Sequence, residues 1–259
     1  MSADMTRVAI VTGASQGIGL AISKRFLEHG VSVIAVARSH ETLTKLQETL
    51  VAKYGQSAFI PCTADVTKPE DIDSINQCLE QNGLELCALV NNAGVLKPLA
   101  KIADLNIDQW RQHFEVNVTS VVALTQKLMP ALRKNKGCVV NISSGAASHA
   151  YHGWSAYCAS KAALNMVTES LATEEPDVVA LAIRPGVVDT GMQTIIRDSG
   201  EEAMHPAEHT KFKELHTTGG LLPPEKPAHT IVKLALRAPK EISGKFYSWD
   251  SPEIAKYVK

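Results

Sequence analysis

The chain has 259 residues, 45% of them hydrophobic, and a formal net charge of −1. That is enough for one α/β domain with a substantial core, and the charge balance gives no reason to expect nucleic acid or an anionic membrane surface as a partner. No apolar run approaches the ~20 residues needed to span a bilayer. The opening Met1-Ser-Ala-Asp-Met-Thr-Arg7 runs directly into a first strand, so no signal peptide is expected. The closing Tyr257-Val-Lys259 carries no peroxisomal or prenylation signal.

In chain order, the apolar run Val8-Ala-Ile-Val-Thr12 predicts a strand over 7–12. It enters a glycine-rich turn spaced Gly13-x-x-x-Gly17-x-Gly19, and an amphipathic helix follows over 17–29. Glycines let a backbone approach a pyrophosphate closely, and a helix N-terminus offers free N–H groups and a positive dipole end. A tight strand-to-helix turn also needs glycine, and the spacing is not the G-x-G-x-x-G fingerprint. Further strands are expected over 31–37, 57–63, 86–90, 137–142, 178–183 and 244–248, with helices over 41–54, 69–82, 108–134, 155–173 and 226–237. Runs such as Val31-Ser-Val-Ile-Ala-Val-Ala37 are almost continuously apolar, as strands covered on both faces are. Alternating strands and helices imply a parallel sheet with right-handed crossovers, a single-domain doubly wound Rossmann-type α/β fold over 1–259. The stretch 186–225 reads as irregular. Its apolar residues suit either a roof over a pocket or a surface helix docked on the core.

The residues that carry chemistry lie between 117 and 161. Tyr157 and Lys161 are four apart, so on a helix they leave one face a turn apart. A free phenol titrates near pH ~10, and a neighbouring ammonium favours the phenolate, which would suit Tyr157 to proton transfer. An ordinary helix pair is the alternative. Ser144 follows the strand-like Cys138–Ile142, where a strand end could set its hydroxyl beside the phenol; Ser143 competes for that role. Asn117 interrupts a helix-forming run, where asparagine needs a reason. Five cysteines (Cys62, Cys78, Cys87, Cys138, Cys158) are scattered without Cys-x-x-Cys spacing, which fits reduced thiols in a cytoplasmic protein. The nine histidines show no ligand spacing, and no metal site is expected.

Taken together, Thr12-Gly-x-x-x-Gly17-x-Gly19, Asn91-Asn-Ala-Gly94, Asn117, Ser144, Tyr157-x-x-x-Lys161 and Pro185-Gly186 resemble, in order, the motifs of the short-chain dehydrogenase/reductase family. Within it, Gly153-Trp154-Ser-Ala-Tyr157-Cys, Glu174-Glu-Pro176 and Pro185-Gly-Val-Val-Asp-Thr190-Gly-Met192-Gln are similar to the sepiapterin reductase and benzil reductase branch. The resemblance implies a carbonyl reductase in which Tyr157 protonates the developing alkoxide, Ser144 orients its oxygen, and Lys161 bonds the nicotinamide ribose and lowers the tyrosine pKa. It also implies that the Asn117 carbonyl holds a water linked to Lys161, and it selects Ser144 over Ser143 by its distance from the tyrosine.

The same resemblance assigns cofactor contacts to Gly13, Ser15, Gln16, Gly17, Ile18 and Gly19, and to Asp65 and Val66 at the adenine. It adds Asn91, Ala93 and Gly94 beside the adenine ribose and central sheet, Tyr157 and Lys161, and Pro185, Gly186, Val188 and Thr190 at the nicotinamide. Asp65 could instead cap the helix at 69, although Thr67 is the more natural cap. After the second strand an NAD enzyme usually carries a carboxylate. Here Arg38-Ser39 stands in that place. Arginine grips a ribose 2′-phosphate with parallel hydrogen bonds, so NADP(H) is the expected cofactor. Ser144, Trp154, Tyr157 and Met192 are the expected substrate contacts, and 186–225 matches the family's substrate lid. His149, Tyr151, His152 and Trp154 lie between Ser144 and Tyr157, and 186–225 offers Met192, Ile195 and Phe212; such an apolar, aromatic wall suits a bulky, aromatic small-molecule ketone or α-diketone.

A sepiapterin-type substrate would need a C-terminal aspartate, for which Asp250 is the nearest candidate, shifted by one residue. A secondary-alcohol dehydrogenase and a non-catalytic nicotinamide-binding regulator are the other readings. Apolar stripes on 108–134 (Val118, Val121, Val122, Leu124, Leu128) and 155–173 (Ala162, Ala163, Met166, Leu171) match the helix pair through which many family members form homodimers. The bland alternative is that these stripes face only the sheet.

Overall fold

The computed structural model describes residues 6–259; the first five residues of the opening segment discussed above lie outside the described residues. Strands β1 (Arg7–Thr12), β2 (Ser32–Ala37), β3 (Phe59–Thr63), β4 (Glu85–Asn91), β5 (Cys138–Ile142), β6 (Val179–Arg184) and β7 (Phe246–Ser248) form one parallel sheet in the order β3-β2-β1-β4-β5-β6-β7. The order reverses between β1 and β4, which opens a crevice at the C-terminal strand ends.

Pleat alternation explains the continuous apolar runs. On β1, Ala9 and Val11 pack with Ile22 and Phe26 of α1 (Gly17–Glu28), while Val8 and Ile10 join Ile72 and Ile75 of α3 (Pro69–Gln81) on the other face. Burying one such large apolar side chain is worth about 1.5–3 kcal/mol, so two covered faces stabilise the sheet from both sides. Helix α2 (His40–Tyr54) follows β2, and α9 (Glu225–Arg237) packs beside α1.

Two expectations need correction. The helix expected over 108–134 is α4 (Ile107–Phe114) and α5 (Ser120–Asn135) joined by a π-helical turn, Glu115–Thr119. The stretch 186–225 is not irregular but holds α7 (Gly191–Ser199) and α8 (Pro206–Thr217). Pro206 at the first helical position and the His205 Nδ1, which accepts from the Ala207 N–H at 3.3 Å, start α8. Helix α6 (Ser155–Glu174) spans one more residue than expected.

Candidate active site

The turn after β1 is built for close approach. A Cβ on Gly19 would lie 2.2 Å from the Gly13 carbonyl oxygen, and Gly17 has φ +53°. Two motif residues to which the sequence reading gives no role of their own lock this turn. The Thr12 hydroxyl oxygen accepts from the Asn92 N–H (3.0 Å) and Ala93 N–H (2.9 Å), and the Asn92 amide donates to the Thr12 carbonyl at 2.8 Å. The signal was available, since Thr12 and Asn92 each sit at a strand end beside a glycine motif. Gln16 precedes α1 without capping it, which leaves the first N–H groups of the helix free for an anion. Ser15 is partly buried and Ile18 packs against the core. Thr190, which precedes α7, lies over this turn, with its methyl 3.1 Å from where a Gly17 Cβ would stand.

Arg38 and Ser39 follow β2 and are exposed. Ser39 caps α2, its Oγ accepting from the Thr42 N–H at 3.3 Å. Asp65 does not cap α3, nor does Thr67: Lys68 is the N-cap, with Pro69 next. The Asp65 carboxylate instead accepts from the Thr67 N–H (3.0 Å) and hydroxyl (2.8 Å). Burial would raise its pKa, yet those bonds and the charges of Arg38 and Lys68 hold the carboxyl below its ordinary range. Arg38 thus stands near Asp65, at neighbouring strand ends (Ala37 pairs with Thr63). Val66 is buried beside them.

The Asn91 side chain turns into the sheet, donating to Asn141 Oδ1 at 2.8 Å. Its side chain therefore ties β4 to β5. Pro185 is buried, Gly186 has φ +83°, and Val188 bridges Leu222, which fixes the segment leading into α7. A glycine cradle, free helix N–H groups and a cationic strand end make a donor set that fits a dinucleotide phosphate. Among the described residues no cluster of histidine, cysteine and carboxylate side chains could hold a metal.

Tyr157 and Lys161 share one face of α6, with the Lys161 Nζ 5.7 Å from the Tyr157 ring centre. Burial pushes the Tyr157 phenol up to about 12 against the opposing effect of the Ser144 hydroxyl, and burial pulls Lys161 down to about 8. The phenol is thus raised, not lowered, with burial the largest cause and the Ser144 hydroxyl opposing it. Lys161 donates to the Ile142 carbonyl at 2.7 Å. The two serines separate cleanly. Ser143 is buried and donates to Asn165 Oδ1 at 2.6 Å, whereas Ser144 faces Tyr157 and accepts from the Ala146 N–H at 3.2 Å.

Asn117 lies in the π turn, a feature that recurs at functional sites. Its Oδ1 accepts from the Val95 N–H (2.8 Å) and its amide donates to the Val95 carbonyl (2.9 Å), joining this turn to the loop after β4. A Cβ on Gly94 would lie 3.2 Å from Asn117 Oδ1 and 3.7 Å from Lys161 Nζ, so the three meet. His113, not singled out from the sequence, completes this network. Its Nδ1 donates to the Lys97 carbonyl at 2.8 Å, which leaves Nε2 to accept from the Asn117 amide at 2.8 Å. Burial, with a smaller effect of Lys161, lowers the His113 pKa and keeps the ring neutral.

Beyond Tyr157 lies an apolar wall. Trp154 stacks on Phe212 at 5.5 Å, meets Tyr157 edge-on at 5.8 Å and touches Tyr151 at 4.8 Å. Met192 and Ile196 of α7 pack into the same cluster. Asp250 is exposed and accepts from the Ser248 hydroxyl at 2.6 Å. Cys158 is a free thiol partly buried against the wall.

A tyrosine, lysine and serine converging at the carboxyl ends of a doubly wound sheet define an oxidoreductase site of short-chain dehydrogenase type. Residues 7–200 match the short chain dehydrogenase family model, and the chain belongs to that family. It is 44% identical over 252 residues to an uncharacterized oxidoreductase of Schizosaccharomyces pombe (97% of this chain, 99% of that one). It is 36% identical to a benzil reductase ((S)-benzoin forming) of Saccharomyces cerevisiae (96% and 98%) and 32% identical to the sepiapterin reductase of Mus musculus (83% and 86%). Among solved structures, the KRED1-Pglu enzyme superposes with a TM-score of 0.88 at 42% identity, covering 93% of this chain and 100% of that one. The L-sorbose reductase of Gluconobacter frateurii, complexed with NADPH and L-sorbose, gives 0.82 at 26% identity, covering 96% and 97%.

Proposed function

We propose that this protein is a cytoplasmic, NADPH-dependent carbonyl reductase acting on bulky aromatic ketones and α-diketones. The observation that carries this reading is the Tyr157 phenol, buried and set edge-on to the Trp154–Phe212 stack. A phenol held near 12 keeps its proton at neutral pH, so it serves as an acid in reduction. Reduced nicotinamide, when bound, supplies the hydride. Ser144 orients the substrate oxygen beside Tyr157, and the Tyr157 proton passes to that oxygen as charge develops on it. Lys161, charged below pH about 8, favours the phenolate left behind, with Asn117 close beside it.

The free N–H groups of α1 and the Arg38 guanidinium would hold the cofactor phosphates, Arg38 favouring a 2′-phosphate. Helices α7 and α8 form the substrate lid. Sepiapterin is the second reading, favoured by the mouse relative; the exposed position of Asp250 disfavours it. A panel of benzil, sepiapterin and a short aliphatic aldehyde, followed by loss of NADPH absorbance, tests the assignment. Benzil should give the highest kcat/KM, and a clear preference for the aldehyde would overturn it.

A further inference from the structure

Among the described residues, five buried side-chain polar atoms have no hydrogen-bond partner: Ser32 Oγ, Trp154 Nε1, Ser155 Oγ, Gln193 Oε1 and Arg197 Nη1. Four of the five belong to the start of α6 or to α7, whose apolar residues Trp154, Tyr157 and Ile196 share one packed cluster with Phe212 and so form a seam. An orphaned buried polar atom costs about 1–3 kcal/mol, so such atoms are rare and call for a partner. The apolar groups of that seam are well packed: Trp154, 5% exposed, is stacked on Phe212 and flanked by Tyr151 and Tyr157. An aromatic seam that satisfies its hydrophobic groups and leaves its polar ones unpaired is what a small-molecule site looks like when closed on itself.

Trp154 is the most restrictive of these atoms, because an indole only donates. Its backbone is fixed by the Ala100 N–H, which donates to the Gly153 carbonyl at 3.0 Å, and by the Ala100–Trp154 bridge. Its ring centre is 5.8 Å from that of Tyr157. A ligand reaching both needs two acceptor oxygens a few bonds apart on an apolar frame.

Resting on the reductase reading above, we propose that the seam between α7–α8 and α6 parts to admit a vicinal diketone, and that the Trp154 indole N–H donates to the second carbonyl oxygen while the first is reduced at Tyr157. One C–H and one O–H bond form at the first carbonyl, hydride coming from the reduced nicotinamide and the proton from Tyr157. The C=O π bond is lost and the nicotinamide is oxidised. The second carbonyl stays on the indole, away from the proton donor, so the product is an α-hydroxyketone rather than a diol. Trp154 is therefore a specificity-determining residue of this site.

The test compares benzil with 1,2-diphenylethanone, which lacks only the second oxygen, in the full-length enzyme with NADPH. Trp154→Phe should lower the benzil-to-monoketone ratio of kcat/KM three- to tenfold, as expected for one lost hydrogen bond. Phe212→Leu loosens the other face of the indole while keeping its N–H, and should leave that ratio within about twofold of wild type. Calorimetric titration of benzil into the NADP⁺ complex should show the same selective weakening for Trp154→Phe. An unchanged ratio in Trp154→Phe, or an equal fall in Phe212→Leu, overturns the inference and leaves the reductase reading standing. Failure of the wild type to reduce either ketone overturns both.

Discussion

At the scale of single residues, burial sets the chemistry. The Tyr157–Lys161 spacing was legible because helical periodicity alone places the two on one face. The direction of their pKa shifts was not, because desolvation depends on what the rest of the fold packs around them. Burial pushes each group toward its neutral form, the phenol up to about 12 and the ammonium down to about 8. Tyr157→Phe should therefore reduce turnover by about 10²–10⁴-fold while leaving NADPH binding largely intact, since it deletes the only proposed proton donor. Fluorescence titration with NADPH beside steady-state assays checks both halves, and more than about a tenth of wild-type activity would count against the assignment.

For Lys161 the sign runs the other way. Its charge is lost as pH rises through about 8, so reductive kcat/KM should fall above that pH, and Lys161→Met should remove that limb of the profile. The unfolded lysine holds its proton to 10.5, so this group adds stability as pH rises from about 8 to 10.5. Cofactor choice also belongs here. Ala37→Asp with Arg38→Leu should weaken NADPH and improve NADH, through phosphate repulsion and a new ribose acceptor. Equal use of the two cofactors by the wild type would show that Arg38 does not discriminate.

At the scale of elements, the sequence periodicity located every strand but blurred two helical regions. Within the helix-forming run 108–134 Asn117 marks an irregularity, but asparagine alone does not specify the extra residue of a π turn. What holds the turn is partly tertiary: Asn117 pairs twice with Val95, while Ser120 Oγ donating to the Val116 carbonyl at 2.7 Å and His113 accepting from the Asn117 amide brace it within the helix. For 186–225 the apolar pattern suits a single docked surface helix as one of two readings; two helices form, and Ser199-Gly200 and His205-Pro206 punctuate the stretch as their stop and start signals.

The π turn supports a prediction of its own. Protonating His113 turns Nε2 from acceptor to donor and sets it against the Asn117 amide. With its folded pKa depressed below the ordinary 6.5, protonation of the unfolded chain is favoured, and stability should fall as pH drops below 6.5. The groups facing the ring are Lys161, whose charge reinforces the effect, and the Tyr157 edge at 6.2 Å, which stays neutral there. Urea unfolding should show His113→Leu destabilised by about 1–3 kcal/mol at neutral pH, with the second Asn117 amide hydrogen left only its longer bond to Ser160 Oγ at 3.3 Å. His113→Gln, which keeps an acceptor, should recover part of that loss and flatten the acid limb. An acid limb unchanged in His113→Gln would assign it to other groups.

At the scale of the whole molecule, the fold was readable because both-face burial leaves continuous apolar strands and the crossover rule leaves few topologies for them. Assembly is harder to read, since a helix stripe covering the sheet and one covering a partner have the same composition. The structure divides the two stripes. Val121, Leu124 and Leu128 are buried beneath α5, whereas Val122 is 45% exposed, and on α6 Leu164 is buried while Met166 is 60% exposed beside an exposed Ala162. The stripes therefore do not face only the sheet. Large apolar side chains left on the outer faces of α5 and α6 fit an isologous contact, in which each residue meets its own copy or a near neighbour across a two-fold axis. A homodimer is the expected state. Because every substitution in such an interface acts twice, Met166→Glu with Val122→Glu places four carboxylates in one desolvated patch, where like charges are strongly unfavourable. Light scattering at micromolar concentration should give twice the monomer mass for wild type and the monomer mass for the double variant, with far-UV circular dichroism unchanged. A wild-type protein at the monomer mass would exclude the dimer and leave Val122 and Met166 as ordinary exposed apolar residues.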